Sequence, residues 1–138
     1  MAIEQLPTVN VDSRRLSSSE PWAEGQKATD GLLRRHPGLT ALLGMDEYLS
    51  LGAYRSMVAK GLRPGRDISL CTIGDLDAFG MVPEGVTAVR IPHEEMAAAA
   101  ALRLFQMIHA PAGGTVPPAE VLRPVLIQRA SICDIEVS

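Results

Sequence analysis

Between Thr40 and Ser131 short apolar runs alternate with helical ones, and that alternation admits few folds. Thr40-Ala41-Leu42-Leu43-Gly44-Met45 reads as a strand that ends on Asp46. A helix from about Glu47 to Lys60 carries Leu51, Tyr54 and Val58 on one stripe, and Gly61 offers a left-handed residue past its end. Ile68 to Ile73 is a second strand, ending on Gly74-Asp75, and Val86 to Ile91 is a third, of β-branched character. Pro92, followed by Glu94 and Glu95, opens a helix that runs through five alanines to His109. The small alanines permit close packing on a sheet or on another helix. Val121 to Gln128 is a last strand, and Pro124 inside it implies an edge or crossover position. The pattern predicts an α/β fold with a doubly wound, mostly parallel sheet flanked by helices.

Upstream, Ala23 to Arg35 has helical spacing and is stopped by Pro37-Gly38. Residues 1–21 are harder to place. Thr8-Val9-Asn10-Val11-Asp12 alternates like a strand, and a serine-rich polar stretch follows. A linker, an edge strand and the remnant of a preceding lobe all fit that segment. Residues 22–138 read as one domain, and the chain of 138 residues is too short for two full ones.

In an open α/β sheet, ligands bind in the crevice outside the carboxyl ends of the strands. Asp46 and Asp75 stand at two such ends, which points to a small-molecule site. An ionised carboxylate accepts hydroxyl donors well. Asp46 is equally suited to cap the Glu47 helix, and one residue can do both. Asp75 is a ligand or hinge candidate, with a solvated loop carboxylate as the plain alternative. Asp77 and Phe79 share its loop, and Arg90 could either reach an anion or form a salt bridge at the strand end.

Composition closes off other classes. The net charge is −3 and there is no basic stripe, so this piece by itself is not expected to bind DNA. Arg34-Arg35-His36 closes a helix, where cations complement the dipole. No apolar run approaches the roughly 20 residues that span a bilayer, and the first residues do not read as a signal peptide. Cys71 and Cys133 lack metal spacing and read as free thiols of a reducing compartment, which predicts a cytoplasmic location. There is no GxGxxG and no Walker loop. His93-Glu94 begins like a zinc-protease motif, but its fifth position is Ala97. His36, His93 and His109 are scattered near helix ends, and Ser17-Ser18-Ser19 has no nucleophile context. No catalytic residue, metal site or cofactor is expected, and the chain does not read as an enzyme.

The motifs carry a more specific signal together. Gly25…Leu32-Leu33-Arg34-Arg35-His36-Pro37…Thr40-Ala41-Leu42…Asp46…Leu51-Gly52-Ala53 resembles the lactose/galactose-repressor (LacI/GalR) family of bacterial transcription regulators. Gly61-Leu62-Arg63-Pro64-Gly65-Arg66-Asp67-Ile68-Ser69 is similar to that family's G-L-x-V-P-x-D-I-S. Val86 to Met96 is similar to its L-T-T-V-R-x-P-x-x-E-M, and Leu126 to Ser131 to its closing L-V-x-R-x-S. The resemblance covers about residues 22–131 and implies the C-terminal lobe of a two-lobed, periplasmic-binding-protein-like (type I) core. It also implies that the DNA-binding headpiece and most of the other lobe lie outside this chain.

The same resemblance implies a ligand-sensing and dimerisation role, in a regulator whose DNA affinity is set by a small effector such as a sugar or sugar phosphate. Asp46 keeps the carboxylate that in relatives accepts hydroxyl hydrogen bonds. Thr72-Ile73-Gly74-Asp75 stands where most members have G-F-D-D and is similar to the T-F-G-D of the fructose-type regulators. Trp22 lies near the family's ligand-stacking aromatic, a few residues off its usual spacing. Asp46, Asp75 and Trp22 are thus the effector-binding candidates, and Tyr48, Leu49 and Leu51 fall where relatives form a homodimer. Operator DNA would be a partner only through the headpiece. The alternatives are a lobe of a periplasmic-type solute receptor and a small flavodoxin-like protein that folds alone.

Overall fold

The computed structural model describes residues 20–110 and 118–134. The alternating stretch at residues 8–12, the serine-rich segment behind it and most of the glycine- and proline-rich loop at 111–118 lie outside those residues. The described elements are α1 (Pro21–Arg35), β1 (Ala41–Gly44), α2 (Glu47–Ala59), β2 (Ser69–Ile73), α3 (Asp77–Met81), β3 (Thr87–Arg90), α4 (His93–His109) and β4 (Val125–Ile127). They occur in the order expected from the sequence, with α3 as an additional short helix.

The sheet has the order β1-β2-β3-β4. β1, β2 and β3 run parallel, with Leu42 beside Leu70 and Thr72 beside Ala88. β4 joins the edge antiparallel, Val89 facing Leu126. Pro124 explains why this strand begins at Val125 and lies outermost, since a proline has no N–H to donate to a ladder.

One face of the sheet is dry. Leu70, Thr72 and Ala88 are fully buried and, with Ala53, Met57, Ile68, Phe79 and Val86, form the core. α2 lies on this face and α1 lies on α2. The second contact explains a shift in α2's buried stripe. Leu51 and Tyr54 are only partly buried and Val58 is half-exposed, whereas Ser50, Gly52, Ala53, Ser56 and Met57 are buried. A helix held between a sheet and another helix must present two apolar or small faces.

The α1–α2 crossing is set by glycines. A Cβ on Gly25 would overlap the Leu49 carbonyl, and one on Gly52 would overlap the Trp22 carbonyl, so the two backbones touch directly. Asp30 ties the same pair together, accepting from Ser56 Oγ at 2.6 Å and pairing with Lys60 Nζ at 2.7 Å. Gly61 takes φ +76° at the end of α2, the left-handed residue expected there.

The opposite face, which carries Leu43, Cys71, Ile73, Val89 and Leu126, has no helix on it among the described residues. α4, whose alanines suit it to close packing, buries none of its residues. Among the described residues the segment at 118–122 lines a groove with it, Arg103 Nη1 donating to the Pro118 carbonyl at 2.6 Å.

Candidate functional site

The parallel register brings the carboxyl ends of β1, β2 and β3 side by side, with Gly44 next to Thr72 and Ile73 next to Val89. Asp46 comes just after β1 and caps α2. Its Oδ1 accepts the Leu49 N–H at 2.9 Å, while its backbone carbonyl takes the Ser50 N–H at 2.9 Å and the Ser50 hydroxyl at 2.6 Å. Capping uses one carboxylate oxygen; the other has no partner among the described residues. Ser50 Oγ also meets Thr72 Oγ1 at 2.7 Å, both fully buried, so a hydroxyl pair fixes the start of α2 to the end of β2. These two hydroxyls set where Asp46 stands.

Glu47 is a site residue that the sequence pattern does not single out. Its carboxylate lies over Gly74, where a Cβ would overlap Glu47 Oε2. Gly74 takes φ +93°, a conformation that L side chains rarely adopt. The residue that replaces the family's usual aspartate is therefore a glycine in a left-handed turn, and the nearby carboxylate comes from α2. The signal in the sequence is the Asp46-Glu47 pair, which by itself says no more than a helix start.

Asp75 is deeply engaged. Its side chain is 2% exposed and accepts four hydrogen bonds from two arginines. Arg90 donates from Nη2 at 2.6 Å and Nε at 3.1 Å; Arg129 donates from Nη1 at 2.8 Å and Nη2 at 3.1 Å. The Arg129 bonds above all, and then those of Arg90, hold its carboxyl below the usual aspartate value of 3.8 against the opposing effect of burial. Arg129 is mostly buried, while Arg90 is 56% exposed at the end of β3. Asp75 thus joins the ends of β2 and β3 to the segment after β4. Of the two sequence readings of Arg90, the strand-end salt bridge is the one this geometry shows.

Trp22 sits apart from these carboxylates. It is the second residue of α1, its carbonyl passes over Gly52, and the Arg55 guanidinium lies 4.0 Å from its ring centroid, a cation–π contact. Gly52 is six residues along α2 from Asp46, about 9 Å of helix rise. The structure therefore brings Asp46, Glu47, Gly74 and Asp75 to one edge and places Trp22 at the α1–α2 crossing. Of Tyr48, Leu49 and Leu51, Tyr48 is exposed, Leu49 lies against Gly25, and Leu51 packs on the core.

Cys71 and Cys133 are free. No group of His, Cys, Asp or Glu arranged to hold a metal is present among the described residues, and no described helix is long and apolar enough to cross a membrane. A groove of about 470 Å³ lies elsewhere, between α4 and residues 118–122. Its lining is mostly apolar, and the carboxyl edge is the better candidate on chemistry.

The family model of the periplasmic binding protein-like domain matches residues 4–132. The HTH-type transcriptional regulator MalR of Clostridium butyricum is 29% identical over 101 residues, 72% of this chain and 30% of that protein. A LacI family transcriptional regulator from Enterococcus faecium, solved with bound ribose, superposes with a TM-score of 0.72 at 20% identity, covering 83% of this chain and 42% of that one. The lac repressor dimer bound to operator and the anti-inducer ONPF superposes with a TM-score of 0.71 at 24% identity, covering 81% and 33%. The chain spans less than half the length of each of these relatives.

Proposed function

This chain belongs to the periplasmic binding protein-like domain family, and from that premise we propose that it is the effector-binding lobe of a ligand-controlled transcription regulator. The observation that carries the proposal is the carboxyl edge. Asp46 keeps one oxygen uncommitted, Glu47 stands beside it over Gly74, and the buried Ser50–Thr72 pair holds both in place. Such an edge presents hydrogen-bond acceptors to a polyhydroxylated ligand. The likeness to a regulator solved with bound ribose supports a sugar as the ligand class.

In this reading Asp46 and Glu47 accept effector hydroxyls, and Asp75 acts through Arg90 by fixing the end of β3. Trp22 has one ring face covered by Arg55 and lies at the α1–α2 crossing, so it ranks behind the carboxylates. Ligand chemistry at one lobe half-encloses a sugar, and a second lobe completes the site. Homodimerisation uses the exposed face around Tyr48, with Leu49 and Leu51 behind it supporting the helix. Operator DNA is contacted by a headpiece elsewhere in a longer polypeptide, and the regulator works in the cytoplasm.

Control is then a matter of linkage. A ligand shifts DNA affinity only by binding the two lobe arrangements unequally. The test is operator-probe fluorescence anisotropy on the longer polypeptide that carries this lobe, with a panel of sugars and sugar phosphates. A tenfold shift in affinity with one compound, about 1.4 kcal/mol of coupling, is the expected outcome. Absence of DNA binding in every condition would overturn the regulator reading and favour a solute receptor.

A further inference from the structure

Gly74 stands in a turn that is pinned on both sides. Thr72, two residues before it, is tied to α2 by the 2.7 Å hydroxyl pair with Ser50. Asp75, directly after it, is gripped by Arg90 and Arg129. Gly74 itself is buried, and its N–H donates to the Val89 carbonyl at 3.0 Å. The left-handed turn at φ +93° therefore has little room to relax.

Glu47 meets this turn from the first position of α2. A Cβ on Gly74 would overlap Glu47 Oε2, and would fall 2.9 Å from its Cδ and 3.2 Å from its Cβ. The start of α2 is held as firmly as the turn, by the Asp46 cap and by the Ser50 hydroxyl on the Asp46 carbonyl. The soft part of the contact is the Glu47 side chain beyond its Cβ. A side chain at position 74 would thus leave both backbones in place and swing the carboxylate aside. Glutamate has among the largest rotamer freedom to lose on being fixed. A carboxylate already laid over a bare Cα binds a ligand at less ordering cost.

We propose that Gly74 is a positioning residue of the effector site. Its missing side chain lets the Glu47 carboxylate lie at the edge, and it thereby sets the affinity for a hydroxyl ligand that Gly74 itself need not touch. This role rests on the reading of Asp46 and Glu47 as acceptors of effector hydroxyls, and makes residue 74 the one that decides whether the second acceptor is in place.

Strain and displacement at position 74 are separable. Strain depends on how readily the new residue takes a positive φ, which asparagine does more readily than alanine. Displacement of Glu47 depends on the Cβ, which the two share. A purely structural role makes Gly74→Ala worse than Gly74→Asn, whereas a positioning role gives them equal losses of ligand affinity.

The test is a ¹H–¹⁵N correlation titration of the 138-residue chain with ribose and with maltose. It compares the unaltered chain with Gly74→Ala, Gly74→Asn, Glu47→Ala and Gly74→Ala/Glu47→Ala, each checked for folding by far-UV circular dichroism. Gly74→Asn, alone and with Glu47→Ala, carries the test if Gly74→Ala does not fold. Each single variant should weaken binding of the responding sugar by about tenfold, the loss of one hydrogen bond to a charged group. The double variant should bind no more weakly than Glu47→Ala, as coupled residues do. Without any ligand, the unaltered chain should show a nuclear Overhauser contact between Glu47 Hβ and Gly74 Hα. Full affinity in Gly74→Asn, losses that multiply in the double variant, or absence of that contact would overturn the proposal and leave the effector reading standing. Silence of the unaltered chain towards both sugars would overturn the effector reading, and the role of Gly74 with it.

Discussion

Asp75 is the most committed side chain at the carboxyl edge, because two guanidinium groups share its two oxygens and leave its side chain 2% exposed. Asp75→Ala leaves Arg129 largely buried without its counter-charge, a change that costs about 3 kcal/mol or more, and urea unfolding should register it. The exposed Arg90 contributes less, because solvent screens it. The carboxyl is held below its ordinary value in the folded protein, chiefly by Arg129. Its contribution to stability is therefore full above the unfolded aspartate value near 3.8 and is lost as pH falls through the lower folded value. Asp75→Asn should flatten the acid limb of a stability–pH curve below about pH 4, and an unchanged limb would refute the pairing. Asp46 behaves differently. Asp46→Asn keeps a capping oxygen and should change stability by about 0.5 kcal/mol or less, while weakening any hydroxyl ligand. A large loss of stability would contradict the retained cap, and unchanged ligand binding would contradict the ligand role.

At the scale of elements, glycine and serine do more than propensity indicates. Gly52→Ala should gain about 1 kcal/mol of helix propensity, but its methyl group meets the Trp22 carbonyl and must push α1 from α2. The overpacking cost of about 1–3 kcal/mol wins, so thermal melting should fall; a rise would contradict the described crossing. Ser131 is fully buried, accepts the Thr87 N–H at 2.8 Å and donates to the Leu70 carbonyl at 2.6 Å. Ser131→Ala strands both groups and should cost about 1–3 kcal/mol, measured by denaturant unfolding. The R-x-S end of the family motif thus has a physical meaning here: Arg129 holds Asp75 and Ser131 joins β2 to β3. Element order is legible in the sequence because hydrophobic period, Pro124 and the Gly61 turn are local signals. The α1–α2 crossing, the buried state of Asp75 and the open position of α4 are not, since each depends on partners far away in sequence. Glu47 escapes for the same reason, as its meaning comes from Gly74, 27 residues on.

At the scale of the whole molecule, the described residues form a sheet with α2 packed on one face and α1 on α2, and a polar edge at the strand ends. The edge is half of a cleft, so a ligand gains only part of its burial from this chain, and affinity of about 1 mM is the expectation for the chain alone. The most direct test is a ¹H–¹⁵N correlation titration of the 138-residue chain with ribose, maltose and fructose phosphates. Weak, saturable shifts are expected for one of them, centred on Asp46, Glu47 and Gly74 and abolished in Asp46→Ala. Shifts confined to the groove between α4 and residues 118–122, or a response that survives Asp46→Ala unchanged, would contradict the ligand role of Asp46.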